Sequence, residues 1–197
     1  MYIECIREEE DNMLYLLVGE SGSGKSTVQN ELIQDYGFKK VITYTSRPMR
    51  HGEVNDVDYH FVDDFQFDEM CDGDAFVEHA VYNNWQYGTA KTDIKFALDS
   101  DDRYIAVVTP SGMRAIKKYA GDEGMLDMLK TFYLHVDRRS RLCKLIMTRE
   151  DIDECLRRNI SDCGMFEGVK EEVDVVLENP AYMHTPAEIA SQMHYGN

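Results

Sequence analysis

A glycine-rich segment at residues 19–26 constrains the fold of this chain more than any other feature. It reads GESGSGKS and fits the pattern G-x-x-x-x-G-K-[ST] at every fixed position. An apolar run at 14–18 precedes it, and a helical pattern begins near Lys25. Glycines let successive backbone N–H groups converge on an anion, and a helix N-terminus adds positive potential there. The segment predicts a phosphate-binding loop between a strand and a helix, and an ordinary Gly/Ser turn is the weaker interpretation.

This loop predicts the binding of a nucleoside triphosphate. We expect Lys25 to contact the β- and γ-phosphates and the Ser26 hydroxyl to help hold Mg²⁺. The dinucleotide pattern G-x-G-x-x-G is not completed, because Lys25, Ser26 and Thr27 follow Gly24. The predicted ATP-binding residues of the loop are Gly19, Ser21, Gly22, Ser23, Gly24, Lys25, Ser26 and Thr27.

Apolar runs of strand character alternate with helical patterns along most of the chain. The predicted strands lie at 13–18, 40–45, 76–82, 104–109, 131–136 and 173–177. The predicted helices lie at 25–35, 91–99, 113–119, 138–147, 152–161 and 186–193. This alternation favours βαβ units, and the continuous apolar runs 14–18 and 105–108 suit strands that are covered on both faces. We therefore expect an α/β fold with a mostly parallel sheet.

The net charge of the chain limits the partners that it can have. Lys and Arg number 21 and Asp and Glu number 37, which gives a formal net charge of −16. A chain this acidic is repelled by nucleic-acid polymers and by anionic membrane surfaces. No apolar run reaches the ~18 residues of a membrane span. A small anion can still bind where basic side chains or backbone N–H groups are concentrated.

The cysteines indicate the compartment. There are five, an odd number, and none of them forms a C-x-x-C pair. This pattern fits neither a disulfide framework nor a zinc ribbon and is typical of a reducing environment. The first twelve residues are acidic, which does not fit a secretory signal. We expect a cytoplasmic protein.

A second candidate anion site follows the predicted strand at 40–45. It contains Arg47 and Arg50, three residues apart and beside the hydroxyls of Thr45 and Ser46. Two guanidinium groups at this spacing can present their N–H forks to one phosphate. Taken alone, both arginines could equally be surface charges.

In their order along the chain, this segment and those after it resemble the guanylate kinase family, most strongly from 13 to 89. The family signature runs T-S-R, two residues, a base, then an acid, then Y-x-F. It is filled here by Thr45, Ser46, Arg47, Arg50, Glu53, Tyr59, Phe61 and Val62. Asp56 stands where the family usually has Gly, and Asn55-Asp56 is still a competent turn pair.

The resemblance implies a three-layer P-loop kinase fold within one domain over 1–197. Its core would comprise 13–45 and 101–197, with an inserted lobe for the nucleoside monophosphate at 46–100 and a short lid at about 148–160. It also implies ATP as donor, Mg²⁺ as cofactor and GMP or dGMP as acceptor. The partners would then be small-molecule nucleotides, with the protein a monomer or a homodimer.

The resemblance also assigns the acceptor site. Arg47, Arg50, Tyr59 and Tyr87 would hold the acceptor phosphate, and Thr43, Glu78, Thr89 and Thr109 would meet the guanine. The chemistry of Glu78 agrees independently, because one carboxylate offers two adjacent acceptors to the N1–H and 2-amino donors of guanine. Adenine presents an acceptor at N1 instead, and a site built on buried hydrogen bonds discriminates strongly against such a mismatch.

The C-terminal half resembles the family less closely. Arg149 and Arg158, with Arg157 next, are expected to close over the triphosphate and, together with Lys25 and Arg47, form the catalytic set. The alternative is that these lid arginines are exposed and pair with the carboxylates Asp153, Glu154 and Asp162. Asn179 is expected to contact adenine.

One departure concerns two family carboxylates, which fall on Val107 and Thr109. Thr109 can still bond to a purine, whereas Val107 cannot support Mg²⁺. Asp137 is a candidate replacement near the metal, and a role as helix N-cap is at least as well supported.

The sequence therefore predicts a kinase that transfers the γ-phosphate of ATP to GMP or dGMP. Two alternatives remain open. One keeps the fold but uses another deoxynucleotide or a sugar phosphate as acceptor. The other is a non-catalytic guanylate-kinase-like module that binds a protein partner, and the intact Lys25-Ser26 pair disfavours it.

Overall fold

The computed structural model describes residues 13–82, 84–148 and 152–196, without the side chains of Tyr82, Thr148, Glu154 and Arg158. Its strands are β1 Leu14–Val18, β2 Lys39–Lys40, β3 Tyr44–Thr45, β4 His60–Phe61, β5 Phe76–Tyr82, β6 Trp85–Ala90, β7 Tyr104–Val107, β8 Leu129–His135 and β9 Val175–Glu178. Its α-helices are α1 Lys25–Tyr36, α2 Asp64–Asp72, α3 Lys91–Asp99, α4 Pro110–Asp122, α5 Arg138–Thr148, α6 Ile152–Asp162 and α7 Pro186–Tyr195. None of these helices combines the length and the apolar character that a membrane crossing requires.

A five-stranded parallel sheet in the order β2-β7-β1-β8-β9 forms the centre of the described chain. Strand β1 lies in the middle, and its side chains alternate between two cores. Leu14 and Leu16 pack into one core, whereas Tyr15 and Leu17 pack into the other. Because helices cover both faces, the strand is apolar at every position, as the sequence pattern predicted.

The two cores define three layers. On one face, α3 and α4 contribute Ile94, Met113 and Ile116. On the other face, α1 and α7 contribute Leu32 and Ile189, among others. The expected α/β fold with a parallel sheet is confirmed. The phosphate loop follows the carboxyl end of β1. Because the sheet is parallel, the carboxyl ends of all its strands lie along this edge of the sheet.

A second sheet, in the order β4-β3-β6-β5, comprises three strands of the segment 46–100, which was predicted as the acceptor lobe, together with β3, which lies in the segment 13–45 that was predicted as core. It has a small core of its own, in which Phe67 of α2 stacks on Phe76 with ring centroids 4.6 Å apart. Gly88 of β6 faces these rings, and a Cβ there would lie 2.8 Å from Phe76. The sheet therefore depends on a glycine at this position.

The predicted strand over 40–45 is wrong as a single element. Lys39–Lys40 pairs with β7 in the parallel sheet, whereas Tyr44–Thr45 pairs with β4 and β6 in the second sheet. The chain passes from one sheet to the other between these two strands. A run of strand character cannot indicate this change, because it does not specify which sheet a residue joins.

Three elements of the lobe are absent from the sequence prediction, namely α2, β4 and β6. Helix α2 buries only Phe67, so it lacks the repeated apolar spacing of a packed helix. Its start is fixed locally, because Asp63 and Gln66 form a reciprocal capping box. Strand β4 has only two residues, and β6 contains Gly88, which weakens its strand pattern.

We expect Phe67→Ala to destabilise the protein strongly, because Phe67 is fully buried in the small core of the lobe. Truncation of a buried Phe costs about 3–5 kcal/mol, and the free energy of unfolding in urea measures the loss. Phe65→Ala is the control, since Phe65 lies on the same helix with 70% of its surface exposed. A similar loss in both variants would contradict the assignment of this core.

Candidate functional site

The phosphate loop connects β1 to α1 in a conformation that needs glycine at two positions. Gly22 and Gly24 have φ values of 83° and 103°, in the left-handed region. A Cβ at Gly22 would also lie 2.9 Å from the Leu145 side chain. Gly24 occupies the N-cap of α1, so the free N–H groups of this helix face the loop.

Two polar side chains of the loop fit an anion. The Ser23 hydroxyl is buried and has no hydrogen-bond partner among the described residues. The Lys25 ammonium donates to the carbonyl oxygens of Gly19 and Glu20, at 2.5 and 3.0 Å. A phosphate would supply the acceptor that Ser23 lacks and a counter-charge for Lys25.

One cavity, of about 620 Å³, opens beside this loop. It is lined by Ser23, Gly24, Val28, Leu134, Ser140, Cys143, Lys144, Met147, Asn179, Tyr182, His184, Thr185 and Pro186. Asn179 is buried, and its amide exchanges two hydrogen bonds with the backbone of His184, at 2.8 and 3.0 Å. Asn179 therefore shapes the loop that forms one wall of the cavity.

The sequence analysis selected only Ser23, Gly24 and Asn179 of this lining, and two of the residues that it missed contact each other or the phosphate loop. The Tyr182 hydroxyl donates to the Gly22 carbonyl at 2.5 Å, and the Lys144 ammonium lies 4.2 Å from the centroid of the Tyr182 ring. The loop after β9 therefore contacts the phosphate loop directly. Nothing in the local sequence indicated a contact across 160 residues.

A second cavity, of about 390 Å³, lies between the lobe and the carboxyl end of β7. Its lining includes most of the predicted acceptor residues, namely Thr43, Tyr59, Glu78, Tyr87, Thr89 and Thr109. The sequence analysis did not select the other lining residues as acceptor contacts. These are Ala80, Val81, Gly88, Val107, Val108, Ser111 and Met165. Most of these are apolar or small and carry no chemical signature that a sequence could reveal.

Glu78 is the ionisable acidic group of this second cavity. It is more than half buried, and burial raises the pKa of its carboxyl. Thr89 donates to Glu78 Oε1 at a long 3.5 Å. A Cβ at Gly112 would lie 3.2 Å from the same carboxyl, so α4 approaches it closely. The carboxyl thus has unused acceptor capacity, and it faces a cavity.

Arg47 is buried, and Glu53 holds its guanidinium. Nη2 donates to both carboxylate oxygens of Glu53, at 2.8 and 3.0 Å, and Nη1 donates to the Pro48 carbonyl. The guanidinium lowers the pKa of Glu53. The backbone N–H of Arg50 also donates to this carboxylate, at 2.7 Å. Neither Arg47 nor Arg50 lines the second cavity, although Arg47 lies over the ring of Tyr59, which does.

Thr109 and Asp137 both cap helices. Thr109 stands in place of a family carboxylate, and Asp137 was the candidate replacement near the metal. The Thr109 hydroxyl accepts from the N–H of Gly112 at the start of α4. One Asp137 oxygen accepts from Ser140 N–H and the other from Ala181 N–H, both at 2.9 Å. The N-cap interpretation of Asp137 is confirmed. Its occupied oxygens make it a poor metal ligand.

Asp56 shows why a glycine would suit its position. Its φ is 62°, in the left-handed region that few residues other than Gly adopt readily. Asp is among the exceptions, and Asn55 donates to the Asp56 carboxylate at 2.9 Å. The turn interpretation of Asn55-Asp56 is consistent with this geometry.

Comparison with known proteins assigns the family. The guanylate kinase family model matches residues 11–129. The chain belongs to the guanylate kinase family. A guanylate kinase from Caulobacter vibrioides is 30% identical, with 92% of this chain and 84% of that protein covered. One from Alkalilimnicola ehrlichii is 29% identical, with 89% and 85% covered.

A solved structure supports the fold of this guanylate kinase family member. The guanylate kinase from Anaplasma phagocytophilum superposes with a TM-score of 0.63 at 22% identity, over 92% of this chain and 82% of that one. The fold of this chain, with its parallel sheet and its second sheet, is therefore similar to that of a solved guanylate kinase.

The predicted lid is only partly described. Arg149 lies outside the described residues, and so does the side chain of Arg158, which belongs to α6. Asp162, at the end of α6, accepts a hydrogen bond from the Ser21 N–H at 2.7 Å. Among the described residues, the Arg141 guanidinium also lies 4.0 Å from the Asp162 carboxylate. The sequence analysis offered Asp162 as a partner for the lid arginines and did not select Arg141 at all.

We expect Asp137→Asn to remove a pH-dependent part of the stability. The backbone N–H groups of Ser140 and Ala181 lower the pKa of Asp137 from its usual range to about 2. Because the folded-state pKa is lowered, the stabilisation is present above the unfolded pKa and is lost as pH falls toward 2. Urea midpoints of wild type and variant should therefore converge as the pH is lowered from about 4 to about 2.

Asp127→Asn is the control, since Asp127 is exposed. A constant difference between wild type and Asp137→Asn across this pH range would contradict the capping role of the ionised carboxylate.

Proposed function

We propose that this protein transfers the γ-phosphoryl group of ATP to GMP or dGMP, forming ADP and GDP or dGDP. Membership of the guanylate kinase family makes it an ATP-dependent phosphotransferase of nucleotides. The observation that supports this substrate is the partly buried Glu78 carboxyl in the second cavity, which Thr89 and Thr109 also line. The first cavity, beside the phosphate loop, would accommodate the donor.

Glu78 would recognise the base. As a carboxylate it offers two acceptor oxygens side by side, which suit the N1–H and 2-amino groups of guanine. Burial strengthens these hydrogen bonds and leaves the carboxyl unpaired when adenine is presented. Thr43, Thr89 and Thr109 would add hydroxyls around the purine edge, and the apolar lining would contact its faces.

The acceptor phosphate would bind beside Arg47, Arg50, Tyr59 and Tyr87. Glu53 holds the Arg47 guanidinium at a fixed position before substrate arrives. This fixed position reduces the side-chain entropy that Arg47 loses on binding. The remaining donors of the guanidinium and the two tyrosine hydroxyls are suited to phosphate oxygens.

The phosphate loop would hold the donor. Backbone N–H groups of residues 19–27, the Ser23 hydroxyl and Lys25 would surround the β- and γ-phosphates, while Asn179 would support the adenine cavity. Ser26 is the second residue of α1, has an exposed side chain and fits one ligand position of a Mg²⁺ ion otherwise held by phosphates and water. Bound Mg²⁺ would supply charge neutralisation on the phosphates.

Transfer would be direct. An oxygen of the acceptor phosphate attacks the γ-phosphorus in line, the bond to the β–γ bridging oxygen breaks, and the electron pair remains on ADP. No covalent enzyme intermediate is needed, because positioning and charge stabilisation account for most of the catalysis. Lys25 and Arg47, with Arg149 and Arg158 of the predicted lid, would spread the developing charge, and lid closure would exclude water.

The cellular setting is also a proposal. We propose that the protein acts in the cytoplasm on free nucleotides as a monomer or a homodimer. The cysteines Cys71, Cys143, Cys155 and Cys163 are unpaired in the described chain, which suits a reducing compartment. The net charge of −16 disfavours nucleic-acid polymers as partners.

An ADP-release assay with ATP, Mg²⁺ and a panel of monophosphates tests the proposed function. We expect GMP and dGMP to be turned over far faster than AMP, CMP and UMP. Equal rates across the panel would contradict the guanine preference. ATP binding with no turnover of any monophosphate would favour the non-catalytic module.

Glu78→Gln should raise the KM for GMP about 10- to 100-fold, since hydrogen bonds to a charged group contribute about 1.5–3 kcal/mol. Because burial raises the pKa of Glu78, the wild-type KM should also rise as pH falls and the carboxylate becomes protonated. The variant should lack this pH dependence.

Glu69→Gln is the matched control, because Glu69 is an exposed glutamate of the same lobe. A kinase for a sugar phosphate would be almost unaffected by Glu78→Gln, so an unchanged KM would support that alternative acceptor.

A further inference from the structure

A carboxylate accepts a hydrogen bond from one backbone N–H of the phosphate loop. Asp162 Oδ2 accepts the Ser21 N–H at 2.7 Å, although the two residues are 141 positions apart. Only 12% of the Asp162 side chain is exposed. Asp162 is the last residue of α6, so this contact joins the helix of the predicted lid to the loop that would bind ATP.

A buried arginine donates hydrogen bonds to the same loop. Arg141 of α5, with 6% of its side chain exposed, donates to Glu20 Oε1 at 3.2 Å and to the Ser21 carbonyl at 3.3 Å. Its Nε also donates to the Val136 carbonyl at 3.0 Å. The second oxygen of Glu20 accepts from the Tyr133 hydroxyl at 2.9 Å. Arg141 thus fixes both Glu20 and Ser21 of the phosphate loop.

Two carboxylates of this cluster oppose the binding of a phosphate. Among the described side chains, Glu20 and Asp162 each carry a negative charge, Arg141 carries a positive charge, and the Lys25 ammonium donates to the Glu20 carbonyl. Asp162 lies 4.0 Å from Arg141, which is too far for a hydrogen bond. Its short contact is instead with the Ser21 N–H. A carboxylate oxygen and a phosphate oxygen are both anionic acceptors, so they compete for one amide.

We propose that Asp162 and Arg141 are positioning residues that set the affinity of the phosphate loop for ATP. Asp162 is an internal competitor: it occupies the Ser21 amide in the nucleotide-free protein and is displaced by a phosphate oxygen. Arg141 holds the loop in its binding conformation and compensates the two carboxylates. On displacement, Asp162 moves toward Arg141, so ATP binding repositions the end of α6. This inference rests on the proposed function only for the identity of the nucleotide.

The test is the equilibrium affinity of the full-length protein for a non-hydrolysable ATP analogue with Mg²⁺, measured by titration calorimetry without acceptor. We expect Asp162→Ala to lower the Kd about tenfold, because a charge-assisted hydrogen bond no longer competes with the phosphate. Asp153→Ala is the matched control, since Asp153 is an exposed aspartate of the same helix. Both variants remove one negative charge, so long-range electrostatics affects them alike.

If Asp162 has only a structural role, Asp162→Ala should raise the Kd for the ATP analogue instead of lowering it. Loss of a structural contact would disorder the loop and weaken binding, whereas loss of a competitor strengthens it. An Asp162→Ala affinity equal to or weaker than that of Asp153→Ala would overturn the competitor role. In steady-state assays, the KM for ATP should fall and the KM for GMP should stay unchanged, because Asp162 contacts the phosphate loop and does not line the second cavity.

Arg141→Lys tests the second residue. Lysine keeps the charge but cannot donate to Glu20, Ser21 and Val136 together, so the Kd for the analogue should rise about tenfold. Arg139→Lys on the exposed side of α5 is the control. Equal affinities in these two variants would overturn the role of Arg141. Because the binding assay contains no acceptor, these results stand even if the panel of monophosphates rejects GMP.

Discussion

The concentration of backbone N–H groups at the end of β1 is the constraint on which the rest of the structure depends. The chain carries a net charge of −16 and must still bind two polyanions if it is a kinase. A phosphate loop meets this requirement because peptide dipoles provide positive potential without adding basic side chains. The loop can keep its shape only because β1 is buried on both faces and α1 begins directly after Gly24.

Basic side chains are then used sparingly and are held by carboxylates. Glu53 fixes Arg47 beside Tyr59 of the second cavity, and Glu20 fixes Arg141 next to the phosphate loop. Both guanidinium groups are buried, so neither pair is weakened by the solvent screening that affects surface pairs. The negative charge of each carboxylate reduces the positive potential that favours anion binding. In return, each arginine is held at a defined position before any substrate binds.

The sequence supported a large part of the site. Its motif placed Lys25 and Ser26 correctly at the start of α1, and the resemblance selected Glu78 and Thr89, which line one cavity. These predictions depended on short motifs whose residue types follow from the chemistry of phosphate and guanine. The apolar lining, such as Met165, was not predicted, because a methionine in a cavity cannot be distinguished by its sequence from one in a core.

The sequence by itself determined the α/β fold and the phosphate loop, because each depends on residues close together in the chain. It left Asp137 open between a helix N-cap and a place near the metal, and the hydrogen bonds of the structure decided for the N-cap. Only the tertiary structure decided that 40–45 is divided between two sheets, and that Asp162 and Arg141 meet the phosphate loop. The contacts of Asp162 and Arg141 with the phosphate loop join segments more than a hundred residues apart, and the strands at 39–40 and 44–45 pair with different sheets. Local hydrophobicity and spacing carry no information about such choices, since they depend on how the packed elements come together.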